Sequence, residues 1–175
     1  PREKRAKGLK VVVSASTFVP KPFTPFQWAA QDSLDEIRRK QALLREALKI
    51  RGVTFNWHDP ETSFLEACFA RGDRRMADVL FRAYELGCRL DGWNEHFIYA
   101  AWLQAFADTG VDPAFYANRE RGKKELLPWE LADIGVTRGY LWREHERAQK
   151  GHITPDCRLG CEGCGLRRFE GVCLP

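Results

Sequence analysis

The chain has 175 residues, of which 44% are hydrophobic and 30% are charged, and its formal net charge is +4. This composition is typical of a soluble globular protein and argues against a disordered chain. The longest apolar runs are too short to cross a bilayer, and no segment has the order of basic, apolar and small residues that marks a secretory signal. We therefore expect one domain's worth of cytoplasmic protein with no membrane partner.

The start of the chain carries five basic residues and one acidic residue among its first ten. Such a stretch could be a nucleic-acid arm, but a solvated edge fits a total charge this low better. The first residue is Pro1, without an initiator methionine, and an apolar run follows closely. An apolar strand near a terminus needs neighbours to pair with, so we expect this chain to be the carboxyl-terminal part of a longer polypeptide.

The first predicted element is a strand at Leu9 to Val13, whose three β-branched valines are of the kind found in parallel strands covered on both faces. A segment with Pro20, Pro22 and Pro25 follows, and proline fixes φ and donates no ladder hydrogen bond. We expect this segment to be a rigid, extended connection. A short second strand is predicted in "GVTFNW", which begins at Gly52.

The rest of the chain up to residue 151 is predicted to be helical. Polar residues mark four helix starts: Ser33 with Glu36, Asp59 before Pro60, Asp73, and Thr137. A further helix is predicted from about Asn94 to Asp108, with Phe97 and Ile98 facing inward. The predicted buried stripe of the helix after Asp73 is Met76, Val79, Leu80, Ala83 and Tyr84. The expected fold is α/β but predominantly α, divided into 1–31, 32–151 and a cysteine-rich tail, 152–175.

The tail contains Cys157, Cys161, Cys164 and Cys173, spaced C-x3-C-x2-C-x8-C. A C-x2-C pair within a turn can direct two thiolates at one ion, and neighbouring glycines let backbone N–H groups approach the sulfurs. Because nothing indicates export, a metal site is favoured over disulfides. The spacing leaves Zn²⁺ and an iron–sulfur cluster open, with His152 as an alternative ligand. Arg158, Arg167 and Arg168 are expected to help keep the thiols deprotonated.

The segment "VSASTFVPKPFTPFQWAAQ", residues 13–31, resembles the closing strand and following loop of the radical S-adenosylmethionine barrel. Three later segments, "SFLEACFARGDRR", "GCRLDGW" and "TPDCRLGCEGCG", resemble the carboxyl-terminal region of one uncharacterised branch of that family. Members of this branch carry an amino-terminal cobalamin-binding-like domain. The resemblance spans most of the chain.

The resemblance implies a parent iron–sulfur protein that cleaves S-adenosylmethionine reductively at a [4Fe-4S] cluster. Residues 1–31 would supply the closing strand and proline-rich loop of the (βα) barrel, and the remainder of that barrel would be the chief partner. Ser14, Ser16 and Phe18 become candidates to line the adenosyl pocket, although packing roles have at least equal weight. Pro20, Pro22, Thr24 and Pro25 match the rigid loop.

The tail also has the C-x3-C-x2-C spacing of the radical-generating cluster, but its position argues against that role. Only 11 residues follow Cys164, whereas the signature follows the first strand of a long barrel, and Gly163 stands where an aromatic residue is usual. The tail site would therefore be auxiliary or structural. The chain alone is not expected to be catalytic.

Three other interpretations are weaker. The chain could be a stand-alone zinc-binding interaction module associated with RNA or a ribonucleoprotein. His58, Asp59 and Glu61 could do acid–base work, although a helix cap explains Asp59. The run 73–75, Asp-Arg-Arg, could clamp a phosphate, although a cap with solvated charges is the plainer interpretation.

Overall fold

The computed structural model describes residues 8–169 and 171, so Cys173 lies outside the described residues. Within that part the chain forms a two-stranded sheet and a body of α-helices. The elements in order are β1 (Val11–Ala15), α1 (Leu34–Ala47), β2 (Val53–Trp57), α2 (Pro60–Ala70), α3 (Met76–Glu85), α4 (Tyr99–Asp108), α5 (Pro113–Ala117) and α6 (Arg138–Gln149). The fold is predominantly helical, as predicted. No helix in the described part is long and apolar enough to cross a membrane.

The two strands are parallel, with Val11 beside Val53 and Ala15 beside Trp57. Parallel strands need a crossover connection, which here is the proline-rich loop and α1. Gly52 makes the turn into β2 with a φ of +86°, and a Cβ there would lie 3.0 Å from the Leu9 carbonyl oxygen. The strands and α1 therefore form one β–α–β unit.

The main hydrophobic core lies between α2, α3, α4 and α5. Its members with essentially no exposed surface include Ala67 and Cys68 of α2, Val79 of α3, Phe106 of α4 and Ala117 of α5. Two arginines are also buried here. Arg71 donates hydrogen bonds to the Ala117 and Arg119 carbonyl oxygens, both at 2.8 Å, and Arg121 donates to the Arg71 carbonyl oxygen at 2.8 Å. These cations tie the end of α2 to the segment that follows α5.

A second, smaller core joins the proline-rich loop to α6. Trp28 is 1% exposed and packs with Leu127 and Leu141. Its ring meets the Trp142 ring edge-on at 4.9 Å between centroids. The loop is thereby fixed against the carboxyl-terminal helix.

Three of the predicted helix caps are confirmed. The Ser33 hydroxyl accepts from the Glu36 N–H at 3.3 Å, the Asp59 carboxylate from the Thr62 N–H at 2.8 Å, and the Thr137 hydroxyl from the Tyr140 N–H at 3.3 Å. The prediction for Asp73 was wrong. Its carboxylate binds the Arg75 guanidinium and backbone N–H, and α3 begins after Arg75 without a side-chain cap.

Other predictions also fail in detail. The helix predicted from Asn94 is a short 3-10 turn at Asn94–His96, and α4 starts only at Tyr99 because Phe97 and Ile98 are not helical. Leu80 and Tyr84 were expected to be buried but are 54% and 53% exposed. One face of β1 has no cover within the described residues, since Val12 is 63% exposed. The periodicity of apolar residues shows which face of a helix or strand is apolar, but it does not show whether another element packs against that face.

Candidate functional site

The first candidate site is one face of the two-stranded sheet. Alternation along β1 and β2 places Val12 beside Thr54, and Ser14 beside Asn56, on a common face. All four residues are exposed. This face is therefore uncovered within the described part of the chain, and most of its groups are polar.

The opposite face carries Val13, Phe55 and Trp57, and α1 lies on it. The Phe55 and Trp57 rings stack at 5.3 Å between centroids, and the Arg45 guanidinium of α1 lies 4.5 Å from the centre of the Trp57 ring. The side-chain amide of Gln41, also in α1, donates to the His58 carbonyl oxygen at 2.9 Å. α1 therefore lies against part of the apolar face, on which Val11 and Trp57 remain 42% and 40% exposed.

The predicted adenosyl-pocket residues lie on or directly after this strand. Ser14 is in β1 on the uncovered face, and Ser16 and Phe18 continue the same alternation just beyond the strand end. Ser14 and Ser16 are exposed, and Phe18 is 48% exposed with its ring edge-on to Phe26 at 5.8 Å. Among the described residues, neither hydroxyl makes a hydrogen bond. The predicted role of these residues in an adenosyl pocket therefore stays a prediction.

The proline-rich loop after β1 is held by hydrogen bonds from within and from outside. The Gln27 side-chain oxygen accepts from the Phe23 N–H at 3.0 Å and from the Trp129 indole N–H at 2.7 Å. Pro20 is fully buried, and the Thr24 hydroxyl donates to the Lys21 carbonyl oxygen at 2.8 Å. The connection is held in place, but the prediction that it is extended was wrong: residues 22–29 form successive turns, in which the Gln27 N–H donates to the Thr24 carbonyl oxygen at 3.1 Å.

The second candidate site is the cysteine tail. Cys157 and Cys161 are exposed, Cys164 is half-buried, and none of the three is in a disulfide. Within residues 8–169 and 171, no three His, Cys, Asp or Glu side chains converge into a group that could hold a metal ion. The three thiols are thus not brought together, and the fourth predicted ligand, Cys173, lies outside this part. The metal site stays a prediction.

The segment around Cys164 is attached to α6 and the loop before it. The Thr137 N–H donates to the Cys164 carbonyl oxygen at 2.8 Å, which places that cysteine at the amino-terminal end of α6. The Arg143 guanidinium donates to the Glu162 carbonyl oxygen at 2.6 Å, and Arg147 contacts the Glu162 carboxylate at 3.2 Å. These contacts hold the tail backbone at Glu162 and Cys164 against α6.

Gly165 is required by this attachment. Its φ is +108°, and a Cβ would lie 2.7 Å from the Thr137 methyl carbon and 2.8 Å from the Gly135 carbonyl oxygen. By contrast, a Cβ at Gly160 would meet nothing within 4 Å. Of these two glycines, Gly165 is the one that the backbone packing requires.

Two of the arginines that were expected to keep the thiols deprotonated form ion pairs with carboxylates instead. Arg158 binds the Asp156 carboxylate through two nitrogens, at 3.0 and 2.5 Å, and Arg168 binds Asp133 at 2.6 Å. Arg143 and Arg147 were missed because they lie in a helix distant in sequence. Thr54 and Asn56 were missed for a similar reason, since strand register determines which side chains share a face with Ser14.

The weaker sequence candidates have structural roles. Asp59 caps α2, and Glu61 accepts from Arg38 of α1 at 2.8 Å. Neither contacts the exposed His58 side chain through a hydrogen bond among the described residues. The Arg75 guanidinium is neutralised by Asp73 at 2.7 Å, which lowers the pKa of that carboxyl to about 2, and is not free to clamp a phosphate.

No protein-family model, curated protein or solved structure matches this chain.

Proposed function

We propose that this chain is the carboxyl-terminal part of a radical S-adenosylmethionine protein. In this proposal β1 and β2 are the last strands of the barrel, and Ser14 and Ser16 line its interior beside the adenosyl group. The parent would cleave S-adenosylmethionine reductively with a [4Fe-4S] cluster bound elsewhere in the polypeptide. The tail cysteines would form an auxiliary or structural metal site.

The observation that carries the proposal is the asymmetry of the β–α–β unit. Parallel sheets are normally covered on both faces. Here α1 contacts the apolar face at Trp57, while the polar face with Ser14 and Asn56 has no cover within the described residues. In a (βα) barrel the helix-covered face is outside and the other lines the interior. Further parallel strands would therefore enclose the face that this chain leaves open.

The coding sequence upstream of Pro1 provides the first test. We expect roughly 200 further residues, the lower end of a full barrel, with a C-x3-C-x2-C motif after the first strand. An upstream stop codon without such a segment would contradict the proposal.

The second test measures binding to the longer polypeptide, prepared anaerobically. Ser14→Leu should raise the dissociation constant for S-adenosylmethionine at least about tenfold, because a bulky side chain would fill the interior. The matched control is Asp35→Leu on the outer helix, where the native side chain is 98% exposed. Equal affinities in the two variants would place Ser14 outside the pocket.

The tail can be tested in the chain itself by metal analysis and absorption spectroscopy after anaerobic reconstitution. Serine at Cys157, Cys161, Cys164 or Cys173 should abolish stoichiometric metal, whereas Cys68→Ala should not, since Cys68 is buried in the helical core. Gly165→Ala should weaken metal retention and Gly160→Ala should not. A brown product indicates an iron–sulfur cluster, and a colourless one indicates zinc. If all four serine variants still bind stoichiometric metal, the tail cysteines do not form the metal site.

The alternative is a stand-alone zinc-binding module, and one observation favours it. Among the described residues, the polar contacts of the tail are with α6 and the loop before it, and none of them involves the sheet. If this module binds RNA, affinity should fall steeply with salt in a filter-binding series. Zinc binding together with salt-dependent RNA binding, without the upstream barrel, would replace the first proposal.

A further inference from the structure

A cleft lies between the turn that joins α2 to α3 and the segment 128–131. Its volume is about 680 Å³, within the range of about 300–1,000 Å³ that is usual for small-molecule sites. The turn contributes Asp73, Arg74 and Arg75 to the lining, and the segment contributes Trp129 and Leu131. The proposed function uses none of these residues, since they belong neither to the sheet nor to the cysteine tail.

The lining of this cleft carries a net positive charge. Among the described residues it contains two arginines and one carboxylate, that of Asp73. This carboxylate is occupied, because the Arg75 guanidinium donates to it at 2.7 Å and the Tyr116 hydroxyl donates to it at 3.1 Å. The Arg74 side chain, by contrast, is exposed and forms neither a hydrogen bond nor an ion pair with any described residue. The cleft therefore offers one free guanidinium to an anion.

The backbone beside Arg74 supplies further donors. The N–H groups of Asp73 and Arg74 donate to no acceptor within residues 8–169 and 171, unlike the Arg75 N–H, which donates to the Asp73 carboxylate at 2.9 Å. Gly72 also lines the cleft, and a Cβ there would lie 2.9 Å from the Cys68 carbonyl oxygen, so this turn packs closely against the end of α2. Adjacent backbone N–H groups and a guanidinium are donors with which proteins bind phosphate.

The segment 128–131 contributes an aromatic ring that is held in a fixed position. The Trp129 indole N–H donates to the Gln27 side-chain oxygen at 2.7 Å, and the Arg121 guanidinium lies 5.1 Å from the centre of the Trp129 ring. Arg121 is only 5% exposed, so it supports the ring from inside the protein. The half-buried ring also lines the cleft, together with Pro128. A rigid aromatic ring of this kind is a surface on which a planar base stacks.

A ligand that combines a planar ring with a phosphate would use both parts of this lining. From these observations we infer that the cleft binds a nucleoside 5′-phosphate, either free or at the 5′ end of an oligonucleotide. The base stacks on Trp129, and the phosphate is bound by the Arg74 guanidinium and the adjacent backbone N–H groups. Arg75 stays paired with Asp73. The inference is independent of the proposed function, because the cleft needs neither the upstream barrel nor a metal at the tail.

The test is isothermal titration calorimetry of the full chain, with chelator present so that metal at the tail cannot hold the phosphate. AMP, GMP, CMP and UMP should bind with dissociation constants below about 1 mM. Adenosine and inorganic phosphate should each bind at least about tenfold more weakly than AMP, because each uses only one part of the lining. A 5′-phosphorylated oligonucleotide that binds more tightly than AMP identifies an oligonucleotide end as the ligand, and equal or weaker binding identifies the free nucleotide.

Two matched pairs of variants, all at exposed positions, separate the cleft from a general effect of charge. Arg74→Met should raise the dissociation constant for AMP at least about tenfold, whereas Arg51→Met, which removes the same charge before β2, should leave it unchanged. Leu131→Asp should weaken binding similarly, because it places a carboxylate in the lining at a side chain that is 99% exposed. Leu126→Asp, at a side chain 85% exposed outside the lining, should have no effect.

Three results would each overturn the inference. The first is that no nucleotide binds at concentrations up to about 5 mM. The second is that inorganic phosphate binds as tightly as AMP, since the ring would then contribute nothing. The third is that either variant in the lining binds AMP with the same affinity as its matched control.

Discussion

The helical body and the β–α–β unit differ in how completely they bury their own apolar surface. The body encloses side chains such as Val79 and Phe106 that are 0% and 1% exposed. In the β–α–β unit, Val12 of β1 and Leu43 of α1 are 63% and 60% exposed. The body therefore has an enclosed core, although Leu80 and Phe81 on its surface are 54% and 66% exposed, whereas no residue of β1 or β2 is buried. This difference supports the proposal that further strands belong beside β1 and β2.

The largest effect is expected from opening the helical core. Phe106→Ala should lower the free energy of unfolding by about 3–5 kcal/mol, because it removes a buried ring and leaves a cavity. Urea denaturation followed by circular dichroism measures this change. A loss below about 1 kcal/mol would mean that the core is loosely packed, and the contrast with the sheet would disappear.

The next effect concerns the buried arginine of the same body. Arg71→Met should cost about 2–4 kcal/mol, since the Ala117 and Arg119 carbonyl oxygens lose their donors while remaining buried. Arg74→Met is the matched control, because its side chain is exposed and makes no hydrogen bond in the described part. Equal losses in the two variants would contradict the bridging role.

A smaller effect should appear on acidification. The Arg119 guanidinium and the Gly122 N–H hold the pKa of Glu125 at about 2, against an ordinary value near 4.5. Because the folded pKa is the lower one, the stabilisation is complete above the unfolded pKa and is lost as the pH falls from there through about 2. The loss should be about 1–2 kcal/mol, measured by urea titrations at several pH values.

Glu125→Gln should remove that part of the pH dependence. Asp35→Asn, at an exposed ion pair with 3.7 Å between charged atoms, should leave the dependence intact. If both variants titrate like the parent, the acid sensitivity arises elsewhere.

The smallest effect tests the two faces of the sheet directly. Val12→Ala on the bare face should change stability by less than about 0.5 kcal/mol, and Val13→Ala on the helix-covered face should cost about 1 kcal/mol. The two residues are neighbours of one type, so loss of strand propensity cancels in the comparison. In the longer polypeptide the Val12 substitution should become the costlier of the two if further strands enclose that face.

Local signals were the part of the fold that could be predicted from sequence. The caps at Ser33, Asp59 and Thr137 depend on a side chain and a backbone group three residues apart, so they can be recognised without tertiary information. Asp73 carries the same signal, but Arg75 two residues later competes for its carboxylate. The break before α4 has no glycine or proline to announce it.

The candidate sites were predicted less completely, because they depend on contacts distant in sequence. Ser14 could be identified from the sequence, but its neighbour Asn56 could be identified only once the strand register was known. The tail cysteines could be identified from the sequence. The hydrogen bond from Arg143 to the Glu162 carbonyl oxygen could not, because it depends on how the tail packs against α6. Buried Arg71 and Arg121 gave no sequence signal, since arginine is mostly exposed in proteins.

The burial of two cysteines away from the tail has a practical consequence. Burial raises the pKa of the Cys68 thiol to about 12 and also raises the pKa of Cys88, so both remain protonated at neutral pH. Thiolates are the reactive form, and Cys157 and Cys161 are exposed. A maleimide dye or spin label added to the folded protein should therefore attach to the tail and spare the helical body, which makes the tail directly visible to distance measurements without any engineered residue.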